Sequence, residues 1–168
     1  TDSGTASFDT INGFKLASAF TSTDIATVAK FQAATAGGAN ASVLGIDMDA
    51  DGANAAQAIT VKGNTATAQA GQAAGVTYTI KDGILTLGGT GASTVDTLGE
   101  WINEATYAAA NDGDILAFQF GSDTYVFGQN GTADVFVKLA GVTGVAALAG
   151  GTGTSTGVDN TLWFVDIA

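Results

Sequence analysis

The chain has 168 residues with five Lys, no Arg, fourteen Asp and two Glu, giving a net charge of −11, and it contains no Cys, Pro or His. Without cysteine there is no disulfide, thiol nucleophile or zinc thiolate, and without histidine the usual nucleophile–base pairs cannot be built. An acidic chain lacking Arg is also a poor partner for nucleic acid or for an anionic membrane surface, since both are held by cations.

The length fits one domain spanning 1–168. Large apolar residues concentrate after Val76, so a looser N-terminal lobe over 1–75 and a better-packed C-terminal lobe over 76–168 are expected. Much of the 46% apolar fraction is Ala, which buries little area per residue. No apolar run reaches the length of a membrane span, and membrane insertion is not expected. The Thr-, Ala-, Gly-, Asp- and Asn-rich composition, poor in Lys, goes with an extracellular location at the cell surface. A first residue Thr1 in place of Met reads as a processed terminus or a fragment boundary.

In chain order, Phe8, Ile11, Phe14, Leu16 and Phe20 mark two short strands separated by an Asn12-Gly13 turn signal. Ser22-Thr23-Asp24 offers N-cap chemistry, and Ile25, Val28, Ala29 and Gln32 follow at helical spacing, which predicts a helix over 24–34. Ser42 to Ile46 and Ile59 to Lys62 read as short strands. The Ala-, Gln-, Thr- and Gly-rich run from Thr65 to Gly75 fits either an edge strand packed through Ala or a mobile loop.

From Val76 to Gly88 the pattern is a hairpin, with Asp82-Gly83 supplying the positive φ that a type I′ turn needs. Gly88 to Ser93 reads as a linker. Thr97 and Glu100 form a capping box, and Leu98, Trp101, Ile102, Ala105, Ala108 and Ala109 mark one face of a helix running to about Ala110. Ile115 to Leu139 then reads as three short strands, a meander with one face in a core. After a Gly/Thr/Ser stretch over 150–157, read as a flexible excursion, the chain closes on Thr161 to Ala168. Apolar residues on both faces of that last strand suggest burial on both sides or pairing with a neighbouring molecule. The fold class expected is mainly β with two short helices (α+β), sandwich-like, built on antiparallel hairpins and the three-stranded meander.

The motif with a chemical mechanism is Asp47-x-Asp49-x-Asp51-Gly52. Three carboxylates at alternate positions before a turn glycine match the first half of a Ca²⁺ loop, a hard cation with oxygen ligands. The twelfth loop position is Ala58, where an EF-hand places a bidentate Glu, so the match is to a partial site. The competing reading is a solvated acidic turn, in keeping with the turn and cap chemistry of Asp. Glu100 and Glu104 lie one helical turn apart and read as a cap and a solvated position. Gly88-Gly89-Thr90-Gly91 lacks the Lys and the adjoining helix of a phosphate loop. Trp101, Trp163 and Tyr125 could line a carbohydrate platform, with core packing as the alternative.

Asp112-Gly-Asp114-Ile-Leu-Ala-Phe118, Asp123-Thr-Tyr-Val-Phe127 and Asp134-Val-Phe-Val-Lys-Leu139-Ala-Gly-Val142 together resemble the C-terminal region of bacterial S-layer and RTX-type secreted surface proteins. Phe8-Asp-Thr-Ile-Asn-Gly-Phe14 is similar to the segment that commonly follows RTX repeats, and the last residues are similar to the end of type I secretion substrates. The Gly-Gly-x-Gly-x-Asp nonapeptide of the Ca²⁺ β-roll does not occur in the chain. The resemblance implies an exported, non-catalytic module of a surface lattice or its attachment.

The expectation is therefore a structural protein, not an enzyme, that self-associates into a lattice or a homo-oligomer outside the cell. Two alternatives remain: a pilin-like filament subunit using terminal-strand exchange, and a carbohydrate-binding or adhesive module.

Overall fold

The computed structural model describes residues 8–20, 42–46, 59–131, 134–151 and 161–167. Its strands, in chain order, are β1 (Asp9–Asn12), β2 (Ala17–Phe20), β3 (Val43–Gly45), β4 (Thr60–Val61), β5 (Gln69–Ala70), β6 (Thr77–Lys81) and β7 (Ile84–Gly88). Helix α1 (Leu98–Ala108) follows, and then β8 (Asp114–Phe120), β9 (Asp123–Gly128), β10 (Val135–Ala140), β11 (Ala147–Gly151) and β12 (Thr161–Ile167). The helix expected over 24–34 lies outside the described residues.

The local signals behave as their chemistry dictates. Asp82 and Gly83 take φ of 49° and 79°, and the β6–β7 ladder closes on them with Lys81 opposite Ile84. Positive φ at both turn positions matches the right-handed twist of the flanking strands. At the start of α1, the Glu100 amide donates to Thr97 Oγ1 at 3.3 Å and the Thr97 amide donates to Glu100 Oε2 at 3.0 Å, so the capping box forms as read. The run Thr65 to Gly75, ambiguous in sequence, contains β5, an edge strand with Gln69 opposite Tyr78.

Two sheets result. The larger, mixed sheet runs β1-β10-β9-β8-β7-β6-β5, with β4 also paired to β8. It forks at β8, where β4 lies parallel to Asp114 and Ile115 and β7 joins parallel at Ala117. In the smaller sheet β12 is central, with β11 antiparallel on one side. β3 pairs antiparallel with the first half of β12 and β2 pairs parallel with the second half.

The Asn12-Gly13 signal is a turn, with Gly13 at φ 71°, but it does not close a hairpin. β1 lies parallel to β10 in one sheet, and β2 lies parallel to β12 in the other. The turn is a corner between layers, because Ile11, Phe14 and Leu16 all pack into the core between the sheets. A hairpin would have left that apolar set on one small ribbon. Strands from the first 75 residues thus enter both sheets.

The meander was expected to bury one face; it buries both. Ile115, Ala117, Val126, Val137 and Leu139 face the smaller sheet, where Leu44, Leu148, Leu162 and Phe164 complete the cluster. Leu116, Phe118, Tyr125, Phe127 and Phe136 face α1 and meet Ile102, Ala105, Ala108 and Ala109. The order of layers is helix, large sheet, small sheet: a mainly β sandwich with an outer helix. Strands covered on both faces read as continuous apolar runs, as Ile115 to Phe118 does. The last strand is likewise central, with both edges paired and with Leu162 and Phe164 fully buried.

Candidate functional site

Asp47, Asp49 and Asp51 lie outside the described residues. Their flanks are anchored: Ile46 on one side and Ile59 on the other are buried in the same core cluster between the sheets. Among the described residues no group of three or more His, Cys, Asp or Glu side chains converges in a way that could hold a metal ion.

The described acids are engaged in several local roles. Asp123 Oδ2 lies 2.7 Å from Lys138 Nζ, and its Oδ1 accepts the Gly141 amide at 2.8 Å, so one carboxylate ties the start of β9 to the end of β10. Its hydrogen bond with Lys138, followed by that with Gly141, holds Asp123 below the usual carboxylate value. The same contact raises Lys138, whose ammonium also lies 5.9 Å from the centre of the Tyr125 ring. Asp114 Oδ2, on a residue 6% exposed, accepts from Lys62 Nζ at 2.5 Å and from the Asn111 amide at 3.0 Å. That pair fastens the end of β4 to the start of β8. Glu100 is held below the ordinary value by its hydrogen bonds to the Thr97 hydroxyl and amide.

Glu104 departs from expectation. It was read as a solvated helix position, and it is 1% exposed. Its Oε1 accepts the Ala73 amide at 2.7 Å and its Oε2 accepts the Gln72 amide at 2.8 Å. A buried carboxylate needs such partners, because desolvation without them is expensive. The signal was available in the spacing: position 104 falls three after Trp101 and four before Ala108, on the face that the apolar residues mark. Its charged identity concealed it.

The aromatic side chains settle into packing. Trp101 stacks on Phe118 at 5.3 Å, Phe118 on Tyr125 at 5.6 Å, and Tyr125 on Phe136 at 5.5 Å, with Phe8 meeting Phe136 edge-on at 5.5 Å. Tyr125 is 4% exposed, so it belongs to the core and not to a sugar platform; Trp163 lies on β12. Among the described residues Tyr107 is the exposed large apolar side chain. A cleft of about 20 Å³ between β7, β8 and β9, lined by Ile84, Phe118, Gln119 and Thr124, has room for a water molecule and not for an organic substrate.

No family model, curated protein or solved structure matches the chain.

Proposed function

We propose that this chain is a non-catalytic, extracellular structural module that self-associates in a surface layer or a comparable assembly at the cell surface. The observation that carries the reading is the edge at β1. Among the described strands it is outermost in the large sheet, pairing with β10, and Asp9, Thr10 and Asn12 are exposed along it. A strand edge with free ladder groups is a template for pairing with another chain. The sandwich behind it presents that edge from a packed core, since its central meander is covered on both faces. The resemblance of that same meander to S-layer and RTX-type surface proteins supports the reading, as does a composition that supplies no His or Cys for catalysis.

Electron microscopy of the concentrated full chain, with and without Ca²⁺, tests it. Ordered sheets or filaments are expected, and monomers alone under both conditions would overturn the proposal.

The pilin-like variant draws on one observation: the last strand, β12, is the centre of the smaller sheet. A strand in that position is the element a neighbour would have to supply if subunits exchanged strands. Mixing two isotopically labelled populations and finding no exchanged dimers by mass spectrometry would remove this variant.

A further inference from the structure

Residues 65–75 run along the outer edge of β6 and carry no side chain larger than Gln. Their hold on β6 is made by backbone and by one hydroxyl, and the Gly91 amide, donating to the Gly75 carbonyl at 2.9 Å, ties down their far end. The Thr65 amide donates to the Ile80 carbonyl at 2.9 Å, the Ile80 amide donates to Thr65 Oγ1 at 3.0 Å, and the Gly71 amide donates to the Val76 carbonyl at 2.9 Å. Thr65 and Gly71 are half-buried, and the other residues of the segment are exposed. A segment with so little burial opens at a lower free energy than the cores beside it.

A single side chain grips this segment from the helix. Both oxygens of Glu104 are engaged by consecutive amides of the segment, those of Gln72 and Ala73. The fit is close: a Cβ added at Gly71 would fall 2.6 Å from Glu104 Oε2. Glu104 itself is fixed by α1, whose neighbouring residues Ala105 and Ala108 are buried against the large sheet.

We propose that residues 65–75 form a strap and Glu104 its latch, and that release of the latch opens the strap as a unit, uncovering the outer edge of β6 to the strap of a second copy. Opening leaves the Ile80 amide and the Val76 and Ile80 carbonyls without partners at this edge of the sheet. Unpaired ladder groups at a sheet edge recruit another strand. The same event frees a segment that already fits this edge, with Gln69 opposite Tyr78 and Ala70 opposite Thr77. Two open copies therefore hold complementary halves, and exchange between them remakes the ladder pairing of Gln69 with Tyr78 and of Ala70 with Thr77. This is a low-cost route to a dimer. The exchange rests on the self-association reading and names an edge it uses; the latch does not depend on it.

The test compares the native full chain with Glu104→Gln, Gly71→Ala and the double variant, by amide hydrogen exchange and by sedimentation velocity at matched concentration. Each single variant is expected to speed exchange at the Ile80 amide at least tenfold, while residues 115–139 keep their native protection. An Ala Cβ at position 71 would also fall 2.8 Å from Val76 Cγ1, so the double variant is expected to be at least as fast as the faster single one. Each single variant is also expected to show a larger share of dimer than the native chain. Unchanged Ile80 exchange in Glu104→Gln, or loss of protection across 115–139, would overturn the latch. An open strap with no increase in dimer would overturn the exchange. Assembly of the native chain is read separately by microscopy, so a failure of the self-association reading is distinguishable from a failure of the latch.

Discussion

The indole of Trp101 lies nearly parallel to the ring of Phe118, with planes 19° apart and centroids separated by 5.3 Å. This contact joins the helix to the meander and starts a ladder of rings that continues through Tyr125 to Phe136. Replacing Trp101 with Ala is expected to cost about 2–4 kcal/mol, because it removes a large half-buried surface and the stacking it makes. Trp101→Phe should retain most of that. Urea unfolding followed by far-UV circular dichroism gives both values, and an Ala variant of native stability would show that the ladder does not hold the helix.

Phe164 is fully buried on β12 and meets Phe14 edge-on at 5.1 Å. Phe164→Ala is expected to destabilise the chain by about 3–5 kcal/mol. Removing residues 162–168 takes out the central strand of the smaller sheet with Leu162 and Phe164, so calorimetry should find no cooperative native transition in the truncated chain. A cooperative transition close to the native one would mean that the smaller sheet contributes little. A truncation at this terminus therefore reports on folding before it reports on assembly.

The acid limb of stability should carry the signature of Asp123 and Glu100. Both are held below their ordinary values, Asp123 by Lys138 and Gly141 and Glu100 by Thr97. A group whose folded value is depressed contributes stability that is complete above its unfolded value and is lost as pH falls through the folded one. The loss should begin near pH 4 and deepen below it. Lys138 is raised, so its contribution is complete below its unfolded value and is lost only as strongly alkaline pH carries it through the folded one. Asp123→Asn should flatten the limb below pH 4 in a series of urea midpoints. An unchanged slope would exclude the Asp123–Lys138 contact as its source.

If Asp47, Asp49 and Asp51 hold Ca²⁺, calorimetric titration of the full chain gives a measurable heat. Replacing all three with Asn should abolish it, since Ca²⁺ affinity depends on the count of charged oxygen ligands. With Ala58 where an EF-hand places its bidentate Glu, such a site would fall in the weak range of extracellular sites, about 10⁻⁴–10⁻³ M. No heat from the native chain would leave the segment as a solvated turn.

The elements read correctly from sequence are those specified within a few residues. The Asp82-Gly83 turn, the Thr97–Glu100 box and the three short strands of 115–139 each carry their own geometry. The misread positions depend on distant partners. Asn12-Gly13 gave a turn in both readings, but its role as a corner depended on β10 and β12, more than a hundred residues away. Glu104 was assigned to solvent by its charge, and only the backbone of Gln72 and Ala73, about thirty residues earlier, makes its burial tolerable.

By itself the sequence determined a Cys-, His- and Arg-free acidic chain rich in short strands, with one helix start and one hairpin turn fixed by local bonds. Local hydrogen bonds and backbone φ preferences act over two to four residues, so a sequence states them directly. The tertiary structure decided that the meander lies between two layers, that the last strand is central, and that Glu104 belongs to the interior. Those outcomes follow from which apolar faces meet and which buried polar groups find partners, a competition among the whole set of elements that no single stretch encodes.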